Sequence, residues 1–253
     1  RSAKVFLDSW FENDHIKACF GFDSIVGNYA SPETPGSAYV LLHHVFGEID
    51  GEKGAWGHAV GGMGSITQLM RSVCEEKGVE ISTNAAVEKV LIKDNKAEGV
   101  MLEDGTQIFA DKVISNLNPK LLFKKLVADD DVDQEYRRKI LNYKCGSGTF
   151  RMNVALSELP NFNCLPGKNI SEHHKSGIVI APSLTYMDQA FTDAKQYGWS
   201  KKPIVEMLIP STVDSTLAPE GKHVASLFCQ QFAPTLPDNK SWHDEKHNAA
   251  NTI

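Results

Sequence analysis

The sequence lacks the short motifs that identify several classes of enzyme. It contains no G-x-S-x-G nucleophile elbow, no phosphate-binding P-loop and no G-x-G-x-x-G dinucleotide-binding turn. No cysteine stands in a recognisable catalytic context. Nothing therefore indicates covalent or proton-transfer chemistry by a side chain, which suits a protein whose chemistry is carried by a bound cofactor.

Cysteine shows no pairing pattern. The five cysteines are scattered and odd in number, and no C-x-x-C pair occurs. This distribution argues against a disulfide framework and favours a reducing compartment. The expected location is the cytoplasm, with the mitochondrial matrix as the alternative if the protein is eukaryotic.

An excess of positive charge and long apolar runs are missing too. The 253-residue chain has a net charge of −6, which argues against nucleic acid or an anionic membrane surface as the main partner. No apolar run approaches the roughly 18 residues that a spanning helix requires, so no transmembrane segment is expected. With 42% hydrophobic residues, the chain can bury a sizeable core in one or two domains.

No metal site is predicted. His243 and His247 are spaced to share a helix face, but Asp244 stands where a zinc protease has glutamate and no third ligand follows. A solvated helix capped at Ser241 is the better interpretation.

The most informative stretch is residues 54–119. It opens with a glycine cluster, Gly61, Gly62 and Gly64, followed by apolar residues at helical spacing. This pattern predicts an amphipathic helix that ends at Gly78, where a glycine can adopt the left-handed conformation.

Short strands are predicted after that helix. Asp94-Asn95 and Asp104-Gly105 mark turns in a meander. Residues 79–81 and 113–114 are also predicted to be strands, and the second of these runs ends in Ser115 and Asn116.

The second half of the chain predicts another sheet. Strand-like runs and helices alternate there, the strands at 149–156, 177–181, 204–209 and 223–232 and the helices at 134–142 and near 186–195. We expect the three longer strands to form one sheet with one apolar face, because their apolar residues alternate: Phe150, Met152 and Val154 on one strand, and Val205, Met207 and Ile209 on another.

The order of glycine pair, helix, meander and final strand resembles the central segment of FAD-dependent phytoene desaturases and amine oxidase-like flavoproteins. It is most similar to the phytoene dehydrogenase-related branch, and residues 31–51 and 203–234 resemble it as well. The resemblance implies an α+β fold with α/β elements, in which part of a glutathione-reductase-like FAD-binding domain joins a substrate domain with a mixed β-sheet and helices. The implied boundaries are 1–57 for a helical part of the substrate domain, 58–118 for the central FAD-binding part, and 119–253 for the substrate-domain sheet and helices.

That family begins with a G-x-G-x-x-G turn and ends with a second glycine-rich flavin segment, and this sequence has neither. We therefore expect an interior fragment, truncated at the C-terminus and inactive alone. FAD is expected in the intact protein and absent from the fragment, because the missing turn supplies many hydrogen bonds to the pyrophosphate. The sheet is expected to lack its central parallel strands, so that an exposed edge near residues 79–81 and 113–114 invites self-association.

The resemblance also implies cofactor-binding residues. Gly61, Gly62 and Met63 match a flavin-proximal loop, although a tight loop without a ligand would have the same sequence. Val87 matches a residue whose backbone meets the adenine edge. Ser115 and Asn116 match a segment beside the FAD, although the same residues also favour a helix cap or turn before Pro119.

No catalytic residue is assigned. The implied reaction is hydride transfer from a carbon of an apolar small molecule to flavin. Two alternatives remain open: a non-enzymatic binding or scaffolding protein of the same architecture, and an FAD-dependent amine oxidase.

Overall fold

Three short helices open the chain in the computed structural model, which describes residues 1–44 and 46–253. They are α1 (Ala3–Asp8), α2 (Asp14–Phe22) and α3 (Ser37–His43). The side chains of Ser2 and Asn13 accept backbone N–H groups at the starts of α1 and α2. Such caps satisfy donors that the first turn of a helix leaves free, and they fix where each helix begins.

The chain divides into two units, the first of residues 1–68 and 146–253 and the second of residues 69–145. In the first unit a small hairpin, β1 (Glu48–Ile49) and β2 (Glu52–Lys53), follows the helices. Its turn residues Asp50 and Gly51 have φ of 51° and 86°, as a two-residue hairpin turn requires.

Helix α4 (Met63–Glu76) confirms the helix predicted after the glycine cluster. Gly78 has a φ of 76° and ends it as predicted. Its amide donates to the Glu75 carbonyl and the Val79 amide donates to the Cys74 carbonyl, each at 3.0 Å. These two hydrogen bonds satisfy carbonyls in the last turn, in the pattern that favours glycine at this position.

The second unit contains an antiparallel meander of β3 (Val87–Lys93), β4 (Lys96–Leu102) and β5 (Gln107–Phe109). Both predicted turns are confirmed. Asp94 and Asn95 have φ of 48° and 62°, and the Asp104 carboxylate accepts the Thr106 amide at 2.9 Å. Helices α5 (Pro119–Leu121) and α6 (Gln134–Asn142) follow, capped by Asn118 and Asp133.

The strands predicted at residues 79–81 and 113–114 are wrong for this structure. Neither run belongs to any sheet of the described chain. A strand forms only where a neighbour satisfies its backbone groups, and none of the described strands pairs with these two runs. Val79, Ile81 and Ile114 are left 49%, 41% and 93% exposed.

A four-stranded sheet forms the centre of the first unit. Its strands are β6 (Thr149–Leu156), β7 (Ile178–Ile180), β8 (Trp199–Leu208) and β9 (His223–Phe232), in the order β6-β9-β8-β7. Helix α7 (Leu184–Tyr197) connects β7 to β8, and α8 (Trp242–Ala250) follows β9. The predicted single sheet and the α+β class are confirmed. The sheet expected to be mixed is antiparallel in all three pairings.

The two faces of this sheet pack differently. Ile204 lies in a core built by α1, α2, α7 and the turn after α2, which includes the fully buried residues Leu7, Met187 and Ile25. On the opposite face Val205, Leu227 and Cys229 form a second cluster with aromatic residues at one end. There the Trp242 ring centroid of α8 lies 5.9 Å from that of Trp199 and 6.2 Å from that of Phe150.

Within the described parts of the chain, no helix combines the length and apolar character needed to cross a bilayer.

Candidate functional site

The predicted glycine loop lies in the first unit, at the start of α4. Gly61 and Gly62 have φ of 83° and 81°, a conformation that side chains with a Cβ rarely adopt. The Gly62 amide donates to the Ala59 carbonyl at 2.9 Å, and Met63 begins the helix with 76% of its surface exposed. The loop therefore presents bare backbone beside a helix N-terminus, as the sequence predicted.

The carboxylate of Asp214, which was not predicted as a site residue, holds this loop. One of its oxygens, Oδ2, accepts the Gly61 amide at 2.8 Å. Its other oxygen, Oδ1, accepts the amide and the hydroxyl of Thr216 at 3.0 and 2.6 Å. Asp214 is only 6% exposed. Hydrogen bonds from the Thr216 hydroxyl and amide and from the Gly61 amide hold the pKa of this carboxyl below its ordinary value.

The segment around Asp214 also limits the space at the loop. A Cβ added to Gly62 would lie 3.3 Å from Leu217 Cδ2, closer than ordinary contact. Leu217 ends a short helical turn that the Asp214 side chain caps. In the sequence, Asp214 stands two residues before a threonine, a pattern that indicates a local cap. This pattern does not predict the hydrogen bond to Gly61, which is 153 residues away.

Val87, the second predicted residue, lies in the second unit at the start of β3. It pairs with Leu102 of β4, and β3 is an edge strand of the meander. The backbone N–H and C=O groups on one side of an edge strand are not used by a neighbouring strand. Val87 is therefore at a position where its backbone could form hydrogen bonds to an adenine edge.

Ser115 and Asn116, also in the second unit, are exposed and lie outside any strand. The Leu117 amide donates to Ser115 Oγ at 3.3 Å in a local turn, and Asn118 caps the next helix. Of the two interpretations of Ser115 and Asn116, a local turn before Pro119 is present in the structure. The residue that caps the following helix is Asn118. The structure brings Gly61, Gly62 and Met63 together by adjacency and places Val87, Ser115 and Asn116 in the other unit.

An apolar face of the four-stranded sheet provides a further candidate surface. Leu227 of β9 pairs with Met152 of β6 on one side and with Met207 of β8 on the other. Cys229 pairs in the same way with Phe150 and Val205, so two rows of apolar side chains cross the sheet. The alternation predicted for Phe150, Met152 and Val154 and for Val205 and Met207 is confirmed, whereas Ile209 lies just beyond the end of β8. Both methionines are partly buried.

The opposite face of the sheet carries a carboxyl group that the sequence analysis missed. Glu206 pairs with Phe228, and the Arg151 guanidinium lies 4.6 Å from the centroid of the Phe228 ring. Burial, and secondly the nearby negative charge of Asp23, raise the pKa of Glu206 above its ordinary value. No sequence pattern around this single glutamate predicts that its pKa is raised.

No group of three or more potential metal ligands occurs within the described residues. The buried Cys229 thiol is also unsuited to nucleophilic chemistry, because burial raises its pKa to about 12.

Comparison with known proteins agrees with the fold and identifies a family. The family of flavin containing amine oxidoreductases matches residues 5–149, more than half of the chain. Pyridine nucleotide-disulfide oxidoreductase domain-containing protein 2 of Rattus norvegicus is 37% identical over 247 residues, covering 96% of this chain and 42% of the rat protein. The phytoene desaturase (lycopene-forming) of Pseudescherichia vulneris is 32% identical over 216 residues, covering 85% of this chain and 40% of the bacterial protein.

A solved oxidoreductase from Methanosarcina mazei has the same fold, with a TM-score of 0.64 at 20% identity over 99% of this chain and 49% of that one. The chain belongs to the flavin containing amine oxidoreductase family, a family of FAD-dependent oxidoreductases with phytoene desaturases among its relatives. It spans less than half the length of these curated relatives.

Proposed function

We propose that the intact protein is an FAD-dependent oxidoreductase that oxidises a carbon centre of an apolar small molecule. Family membership supports the redox class, and the Gly61–Gly62 loop is the observation that carries the cofactor assignment. When bound, FAD would supply the chemistry by accepting hydride from a substrate carbon. The protein would hold, orient and shield the reacting groups.

The glycine loop fits the flavin end of FAD. Two successive residues without Cβ atoms let a planar ring system approach the backbone closely, and the N-terminus of α4 favours electron-rich atoms. The pyrophosphate end has no matching feature, because the sequence has no G-x-G-x-x-G turn. We therefore propose that the chain forms one part of the cofactor site and does not retain FAD by itself.

We assign residues 58–118 to the wall of the FAD site and residues 1–57 and 119–253 to the substrate domain. In the FAD wall Gly61, Gly62 and Met63 would lie near the flavin, Val87 near the adenine, and Ser115 and Asn116 along the cofactor. The unpaired runs at residues 79–81 and 113–114 would pair with strands from elsewhere in the intact protein, or with a second copy of this chain. Exposed apolar side chains at both runs support this.

The apolar face with Met152 and Met207 is our candidate for the surface over the substrate. The partly buried side chains of Met152 and Met207 suit contact with an apolar molecule, since such a ligand is bound by burial of its surface, whereas the row through Cys229 is already buried. The reducing compartment suggested by five unpaired cysteines favours a cytoplasmic or mitochondrial-matrix location.

Full-length protein purified with its flavin allows a direct test. We expect bleaching of the flavin absorbance by apolar alkene or hydroaromatic substrates under anaerobic conditions. Bleaching by amines alone would identify an amine oxidase instead. Folded full-length protein without flavin, and without affinity for added FAD, would support a binding or scaffolding protein.

Substitution of the sheet face separates substrate contact from core packing. Met152→Lys should impair turnover and leave flavin content unchanged. Asn153→Lys is the matched control, because Asn153 is exposed on the opposite face of the same strand and should tolerate lysine. Joint loss of flavin and folded protein in Met152→Lys would assign the residue to the ordinary core, and unchanged turnover would place the substrate elsewhere.

A further inference from the structure

The Gly61–Gly62 loop has little conformational preference of its own. Glycine populates positive and negative φ about equally, so two successive glycines do not determine the direction of the loop. Hydrogen bonds to the loop must select the observed conformation, and two of them are local: the Gly62 amide donates to the Ala59 carbonyl at 2.9 Å and the Ser65 hydroxyl donates to the Gly62 carbonyl at 2.7 Å. The contact that reaches it from a distant part of the chain is the bond from the Gly61 amide to the Asp214 carboxylate at 2.8 Å.

Asp214 is itself held rigidly. Its amide donates to the Pro210 carbonyl at 3.0 Å, and its carbonyl accepts the Leu217 amide at 3.3 Å. The segment from Pro210 to Asp214 is also bound to β9, because the Val224 amide donates to Ser211 Oγ at 3.1 Å. The Thr212 hydroxyl donates to the His174 carbonyl at 3.0 Å. A hydrogen-bonded path therefore leads from the sheet to the glycine loop.

A carboxylate suits this position better than an amide does. Three donors converge on its two oxygens, the Gly61 amide on one and the Thr216 amide and hydroxyl on the other. An ionised carboxylate accepts on both oxygens, whereas an asparagine has one acceptor oxygen and would direct its NH2 group toward either Gly61 or Thr216. A charged acceptor also makes the stronger bond.

We propose that Asp214 is a positioning residue that sets the conformation of the flavin-facing glycine loop and couples it to the substrate-domain sheet. This inference rests on the proposed function, because it assigns the loop to the flavin. Asp214 acts through the Gly61 backbone and is not required to touch the cofactor or the substrate. Loss of the bond between the Gly61 amide and Asp214 would therefore change the environment of the flavin.

The test uses full-length protein with bound FAD and three variants. Asp214→Ala and Asp214→Asn remove or weaken the bond to Gly61. Thr216→Val is the matched control, because it removes a donor to the same carboxylate and leaves the Gly61 contact in place. We expect both Asp214 variants to bind FAD about tenfold more weakly, because the loop is no longer held in its binding conformation before the cofactor arrives. Their flavin absorbance and fluorescence spectra should also shift, and Thr216→Val should retain the wild-type spectrum.

Hydrogen exchange at the Gly61 amide gives an independent measurement in the wild-type protein. The bond predicts exchange about ten- to a hundredfold slower than in an unfolded peptide, and faster exchange in Asp214→Asn. An unprotected Gly61 amide, or folded Asp214 variants with wild-type FAD affinity and spectrum, would overturn the proposal. Absence of flavin from the wild-type protein would contradict the proposed function instead, while the exchange measurement would still report on the bond.

Discussion

Alanine substitutions at Gly62 and Gly64 should change stability in opposite directions, although the two residues are neighbours on the same segment. Gly62 has a φ of 81°, and a Cβ there would lie 3.3 Å from Leu217 Cδ2. Gly64 lies inside the first turn of α4, and a Cβ there meets no atom within 4 Å. The pair therefore separates the conformational requirement of the loop from the general cost of changing a glycine.

The magnitudes follow from these geometries. Placing an L-residue in the left-handed region costs roughly 1–2 kcal/mol, and the close approach to Leu217 adds to that cost. Alanine in place of a helical glycine gains up to about 1 kcal/mol. The free energies of unfolding of Gly62→Ala and Gly64→Ala should therefore differ by about 2 kcal/mol, with Gly64→Ala the more stable.

Urea unfolding measures this difference. With an m-value of about 2 kcal/mol per molar urea, the two midpoints should lie about 1 M apart. The m-values should match, so that the shift reports stability rather than a change in compactness. Equal midpoints, or a destabilised Gly64→Ala, would refute the loop geometry on which the cofactor assignment depends.

Two further predictions concern ionisable groups whose pKa is raised by burial. Cys229 is fully buried and burial raises its pKa to about 12, so a thiol reagent should label it only after unfolding, and rapid labelling of the native protein would contradict this packing. The exposed thiols that should react first are Cys19, Cys145 and Cys164. The pKa of Glu206 is raised in the folded state, so the folded protein favours the protonated carboxyl and loses stability as the pH rises and this carboxyl ionises. Glu206→Gln keeps a neutral side chain at every pH. The variant should therefore be more stable than the wild type at neutral pH, by less than about 1 kcal/mol. Below the ordinary glutamate value of 4.5 the variant and wild type should have the same thermal midpoint, and a difference that persists there would exclude titration as its cause.

Local features of the fold were predictable from local sequence. Helix α4, its end at Gly78, and the turns at Asp94 and Asp104 all depend on residues within a few positions of one another. The strands β6 and β9 were predicted with their observed bounds, because both segments have strand-like composition and the apolar residues of β6 alternate. In each case the side chains that determine the structure are near neighbours in sequence.

Features that depend on distant partners were not predictable. Strand β8 begins at Trp199, five residues before the predicted start, since a register shift and the polar residues Lys201 and Lys202 interrupt its apolar pattern. Residues 79–81 have strand-like composition but no partner strand among those described. Asp214 could be identified as a local cap, but its bond to Gly61 joins residues 153 positions apart. Only the folded chain reveals that bond.

The flavin content of the full-length protein tests the central claim most directly. Purified full-length protein, with excess FAD added and then removed, should retain stoichiometric flavin with the absorbance of a protein-bound cofactor, and Gly62→Ala should lower its FAD affinity more than Gly64→Ala does. A folded full-length protein that binds no flavin, or equal FAD affinities in the two variants, would contradict the account.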